Sequence, residues 1–309
     1  MPRSRRNRPW KPRRRKAIPP NPTVYHLDTF SLEDVRLWKK GQDEFVRVYW
    51  NWYSQLAHQR SRILPKLKAA LADAAVGPFD FNDYQRAVKY KWALEPLSVR
   101  GSLLDEVGGR FNVGGIDRTK FTPFPALYLG QDKMTALQEL FQVDPDPLGQ
   151  GELTAEELAL TNPGSVACVS TYGSLEKYID LRQPERLRPF VDLLKNFVVS
   201  EDLVKAGQKI GININVTRNV ETLMTTLTYP DWRSFPQHVD VPANCQIFGQ
   251  LVSEAGIEGI KYPSKYEGKN CLAIFPQNFR NTDSFIQLTD QTPPGVTRIR
   301  LDSKTVDEL

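Results

Sequence analysis

The sequence predicts an α+β fold: a mixed or antiparallel sheet core with flanking helices, preceded by a helical amino-terminal region. Three observations carry this. Apolar residues recur at helical spacing through residues 31–76. From about Asp83, short β-type runs alternate with turns and helical stretches, without the regular βαβ period of a doubly wound sheet. The 309 residues are 40% hydrophobic and 25% charged, an ordinary globular balance in a chain long enough to bury a full core.

Residues 1–22 read as a disordered basic arm. Pro2, Pro9, Pro12, Pro19, Pro20 and Pro22 oppose helix, and residues 1–16 hold seven Arg, two Lys and no acid. The net charge of +5 is therefore a +9 arm on a −4 remainder. Three readings of the arm stay open: a solubilising tail, a contact to nucleic acid or an acidic partner, and a targeting role. It lacks an apolar h-region, so it is not read as a secretory signal.

A helix is expected from Ser31, which can cap it, with Glu33 and Asp34 in the first turn near the positive end of the dipole. Gly41 is expected to break it. A second helix follows from Asp43, with Phe45, Val48, Tyr49, Trp52, Tyr53 and Leu56 at helical spacing. Pro65 opens a third piece, Lys66 to Ala75, ended by Val76-Gly77-Pro78. The aromatic cluster Tyr49, Trp50, Trp52 and Tyr53 fits a helix–helix core or partner interface better than base stacking. Further on, strands are expected at Val99–Leu104, Ala126–Leu129, Gly164–Tyr172, Gly259–Tyr262 and Asn270–Phe275. Helices are expected at Lys133–Val143, Pro184–Val204 and Cys245–Gly256.

Several chemistries are disfavoured. No run of about 18 apolar residues exists, so no membrane span is expected. Cys168, Cys245 and Cys271 are far apart with no CxxC or Cys/His spacing, so no metal site is expected. Sparse cysteine fits a cytoplasmic location. His26, His58 and His238 are the only histidines, which leaves little room for a His-based triad.

The densest chemistry lies in Gly108-Gly109-Arg110-Phe111-Asn112-Val113-Gly114-Gly115. The glycines permit tight turns and close approach to a ligand, and Arg110 offers a planar fork suited to phosphate. It is neither a Walker loop nor a Rossmann fingerprint, and alone it also fits an ordinary surface turn. Next, Phe124-Pro125-Ala126-Leu127-Tyr128-Leu129-Gly130 reads as a strand ending near Tyr128, followed by a helix with Asp132 as N-cap. Glu139 lies two turns in, and spacing alone would make it a solvated edge residue. Gly256 to Ser264 reads as a strand running into Pro263. Ser264 has no GxSxG elbow around it and is read as a hydrogen-bonding residue, not a nucleophile.

Taken in order, these stretches resemble the RES domain family, named for its Arg, Glu and Ser, which includes toxins of bacterial toxin–antitoxin pairs. The resemblance rests on Tyr84-Gln85-Arg86-Ala87-Val88, Pro96-Leu97-Ser98, the glycine-rich 108–115, 124–130, Thr135-Ala136-Leu137-Gln138-Glu139 and Gly259-Ile260-Lys261-Tyr262-Pro263-Ser264, with Trp232 ahead of the last. It covers roughly residues 83–280, within an expected catalytic domain of 81–285 between a helical region at 23–80 and a tail at 286–309. It implies an ADP-ribosyltransferase-like sheet core and an enzyme that breaks NAD at the nicotinamide–ribose bond, by hydrolysis or phosphorolysis. NAD is then a substrate, with no separate cofactor. Arg110, Glu139 and Ser264 would be the family's Arg, Glu and Ser; Tyr128 would match its strand Tyr and Arg86 an upstream Arg. Ile116 to Thr122 lengthens the connection between Arg110 and Tyr128, which would alter access if it closes over the cleft.

Nicotinamide leaves neutral, so no general acid is needed, which suits the shortage of His. The reaction needs a carboxylate to stabilise an oxocarbenium-like ribose, the role that falls to Glu139. Arg110 and Arg86 would clamp the pyrophosphate, Tyr128 would pack on the nicotinamide or its ribose, and Ser264 would bond a phosphate or ribose oxygen or place the acceptor. The alternatives are ADP-ribosyl transfer to a macromolecule, and a nucleic-acid- or partner-binding protein acting through the arm. The resemblance also implies an antitoxin partner with a helix-turn-helix (Xre-like) domain. The 30–76 segment could dock that partner or a second subunit in a homo-oligomer.

Overall fold

The computed structural model describes residues 32–141, 166–265, 268–289, 291–292 and 294–308. The basic arm, the Ser31 cap and the expected ends of the 133–143 helix and of the 164–172 strand lie outside them. The chain divides into two units: the residues up to Gln59 with Phe197–Val216, and Arg60–Asn196 with Thr217–Leu309.

The first unit is built on α1 (Leu32–Arg62), which runs unbroken through Gly41. The expected break does not occur. One glycine costs a helix interior about 1 kcal/mol, too little to stop a long helix that buries one face. That face carries Val48 and Trp52, packed with Leu203 and Ile214. Tyr49 stands edge-on to Trp52 at 5.2 Å between centroids, so this part of the aromatic cluster is helix core. Gln59 Nε2 donates to the Val198 carbonyl (2.6 Å) and its Oε1 accepts the Val198 N–H (2.8 Å).

The second unit holds an eight-stranded sheet in the order β10-β9-β5-β1-β4-β8-β7-β6. Its strands are β1 (Phe79–Lys89), β4 (Leu127–Gly130), β5 (Val166–Leu175), β6 (Tyr178–Asp180), β7 (Gly259–Pro263), β8 (Asn270–Ile274), β9 (Phe285–Leu288) and β10 (Arg300–Leu301). β2 (Gly108–Gly109) and β3 (Asn112–Val113) form a separate hairpin. Every neighbouring pair is antiparallel except β6–β7, which is parallel and needs a long crossover. That connection, residues 181–258, holds α5 (Arg188–Leu194), α7 (Val220–Leu227), α8 (Ser234–Val239) and α9 (Asn244–Glu254), and includes α6 (Glu201–Lys209), which belongs to the first unit. One core cluster joins Phe81 and Tyr84 to Leu127, Leu129, Leu272, Ile274, Ile286 and Leu301. α2 (Leu64–Ala74) packs with α5 and α9, and Phe190 meets Phe248 edge-on at 5.7 Å.

The mixed α+β architecture is as expected, with four differences in detail. β1 follows directly on the Val76-Gly77-Pro78 stop, where no strand was expected. A bulge between Phe81 and Tyr84, with Asp83 at φ 58°, breaks the period-2 alternation that would have marked the strand. Val99–Leu104 is not a strand; it holds a short helix, α3 (Arg100–Leu104), with the Ser98 hydroxyl accepting the Arg100 N–H. The helix expected over Pro184–Val204 is interrupted between α5 and α6, where Asn196 and β-branched Val198 and Val199 propagate helix poorly. Residues 286–309, read as a tail, place Ile286, Leu288, Leu301 and Val306 in the core.

Candidate active site

The glycine-rich stretch folds as the β2–β3 hairpin, with Arg110 and Phe111 at its tip. Gly108 has φ 83°, and a Cβ on Gly109 would lie 2.4 Å from the Tyr128 ring. Asn112, fully buried, accepts the Gly109 N–H and the Tyr128 hydroxyl at Oδ1, both at 2.9 Å. Its Nδ2 donates to the carbonyls of Ser102 (3.2 Å) and Phe124 (3.1 Å). The Tyr128 oxygen also accepts the Phe111 N–H at 2.9 Å. Burial drives this phenol well above its ordinary pKa, so it stays protonated and donating.

From α9, Gln246 completes the lattice. Its Nε2 donates to the carbonyls of Val107 (2.8 Å), Gly109 (3.1 Å) and Asn112 (2.9 Å), and its Oε1 accepts the Ala243 N–H at 3.0 Å. Sequence reasoning did not find this residue. The available signal was a glutamine inside the apolar run Cys245, Ile247, Phe248, Leu251. The result is a rigid seat for Arg110, whose Nη1 donates to the carbonyls of Leu227 (3.3 Å) and Tyr229 (3.0 Å), and whose guanidinium carbon lies 5.9 Å from the Trp232 ring centroid.

α4 (Lys133–Phe141) presents Glu139. As expected, Asp132 caps this helix, its Oδ1 accepting the Thr135 N–H at 2.8 Å. Strand and helix approach closely because Gly130 has no Cβ, which would meet the Ala136 nitrogen at 2.6 Å. Just past β7, Ser264 is 4% exposed and donates from Oγ to Glu139 Oε1 at 2.8 Å. Glu139 is thus a gripped carboxylate rather than a solvated edge residue, and Ser264 spends its hydroxyl proton on it.

Arg86 projects from β1 and is 9% exposed. Its Nη2 donates to the Ser98 carbonyl at 2.7 Å, while its Nη1 is buried with no partner. Burial alone lowers this guanidinium to a pKa of about 10. A cavity of about 400 Å³ joins these residues: Arg86, Arg110, Tyr128 and Glu139 line it, together with Trp232 and Arg233. Four of the five residues singled out from the sequence therefore line one cavity, and the fifth, Ser264, is bonded to Glu139. Residues 116–122 take no part in lining this cavity. Among the described residues, no group of three or more His, Cys, Asp or Glu could hold a metal ion, and no helix is long and apolar enough to cross a membrane.

No family model matches the chain. No curated protein matches it either. Among solved structures, the chain is similar to a chain of the MbcT–MbcA toxin–antitoxin complex of M. tuberculosis, at 16% identity, covering 79% of this chain and 96% of that one, with a TM-score of 0.37. So distant a likeness leaves the functional reading to the residues of the site.

Proposed function

We propose that the cavity binds NAD and that the protein cleaves its nicotinamide–ribose bond, as the RES-family resemblance implies. The observation that carries this is the cavity wall itself. It pairs a Ser264-held carboxylate, Glu139, with a buried arginine, Arg86, whose free Nη1 has no protein partner. Burying an unneutralised guanidinium is costly, and a phosphate oxygen in the cavity would relieve that cost. Arg86 and Arg110 take the pyrophosphate. Glu139 stabilises the positive charge that develops on the ribose as the C–N bond breaks and its electron pair leaves on neutral nicotinamide. Ser264 orients the carboxylate. The Tyr128 ring packs against the nicotinamide ribose while its hydroxyl stays committed to the Arg110 hairpin.

The acceptor is water, phosphate or a macromolecular nucleophile, and the products separate these. Incubation of the full chain with NAD is expected to release nicotinamide, with free ADP-ribose, a phosphorylated ADP-ribose or a modified macromolecule as the co-product. Glu139→Gln is expected to lower turnover by two or more orders of magnitude with the fold retained. No nicotinamide release by the unaltered chain, with and without phosphate, would sink the reading. By the same resemblance, the protein is a toxin held inactive by a helix-turn-helix antitoxin. Co-purification with the product of a neighbouring gene tests this.

A further inference from the structure

Arg233 is a third arginine of the same cavity, and neither the sequence motifs nor the family resemblance marks it. Its guanidinium carbon lies 4.7 Å from the ring centroid of Trp232, an indole only 2% exposed. Arg110 approaches the same ring at 5.9 Å. A buried ring approached by two guanidiniums attracts both through its π face without consuming their N–H donors. The two arginines then differ in how far they are committed. Arg110 gives Nη1 to two backbone carbonyls. The Arg233 guanidinium makes no hydrogen bond or ion pair among the described residues, so its whole donor fork is available. Burial lowers its pKa, and the charges of Asp105 and Glu139 act against that shift.

Resting on the dinucleotide reading above, we infer that Arg233, held over the Trp232 ring, is a ligand-contacting cation that takes phosphate oxygens of the bound dinucleotide. It shares them with Arg86, whose buried Nη1 has no partner. The arrangement selects a ligand whose anionic charge is spread over two adjoining phosphates.

Calorimetric titration of the full chain with ADP-ribose, inorganic pyrophosphate and adenosine tests this. Arg233→Met is expected to weaken ADP-ribose and pyrophosphate at least tenfold and to leave adenosine unchanged. Arg233→Lys keeps the charge but loses the planar fork, and is expected to recover only part of that loss. The Lys variant also keeps the test open if the Met variant does not fold. Pyrophosphate binding that either folded variant retains at the level of the unaltered chain overturns the assignment, as does an unaltered chain that binds no pyrophosphate. Tenfold loss of pyrophosphate in a protein that nevertheless releases no nicotinamide from NAD upholds Arg233 as an anion contact and overturns the cleavage reading instead.

Discussion

A single missing side chain shapes the hairpin that carries Arg110. Gly109 faces the Tyr128 ring so closely that a Cβ would sit 2.4 Å from it, and that ring is held by two hydrogen bonds at its hydroxyl. Gly109→Ala should therefore cost about 1–3 kcal/mol through overpacking, read as a lower urea midpoint. It should also lower activity beyond the loss of folded protein, because Arg110 shifts with the hairpin. An unchanged midpoint would mean that the ring moves aside freely. At this scale the sequence was partly legible. The Asp132 cap could be picked out from a local pattern, whereas Arg110 and Glu139 were singled out by the order of motifs that carries the family resemblance. The Ser264–Glu139 bond could not, because it joins residues 125 positions apart. Gln246 stayed hidden for the same reason: its carbonyl partners lie in the β2–β3 hairpin and just ahead of it.

Among the elements, α1 shows how tertiary burial overrides a local breaker. Its course through Gly41 leaves a glycine in a helix interior. Gly41→Ala should raise stability by up to about 1 kcal/mol, measured as a higher denaturation midpoint with unchanged slope. No gain would indicate that the helix frays there in solution. The elements that sequence reading located, β4, β7, β8, α4 and α9, have clean apolar periods bounded by turn residues. Those it missed or misread have a disturbed period. β1 shifts its alternation at the bulge by Asp83, and α3 is a stretch with strand-like apolar residues bent into a turn of helix behind Ser98.

For the molecule as a whole, pH offers a test of the sheet core. Tyr84 sits in that core, and burial pushes its pKa from 10.0 up to about 12. The folded state keeps the proton that the unfolded chain gives up near pH 10. The stability tied to it is full below about pH 10 and is lost as pH climbs toward 12. Thermal midpoints recorded from pH 8 to 11.5 should fall at the alkaline end, and Tyr84→Phe should flatten that fall. An equally steep fall in the variant would assign it to other groups. The α+β class was legible from the mixing of strand and helix patterns, whereas the sheet order was not, since it is fixed by pairings between strands distant in sequence.

The parallel pair β6–β7 has a consequence for how the protein could be altered. The chain must leave the sheet between these strands, and the excursion it takes brings Trp232, Arg233 and Gln246. Arg86, Tyr128, Glu139 and Ser264 come instead from the sheet, from α4, or from the residue just past β7. Two stretches of chain thus meet at one cavity: Trp232 and Arg233 from the excursion, and Arg86, Tyr128 and Glu139 from the sheet and α4. Arg233 can therefore be exchanged on the excursion while the Glu139 carboxylate and Ser264 stay anchored to α4 and to the end of β7.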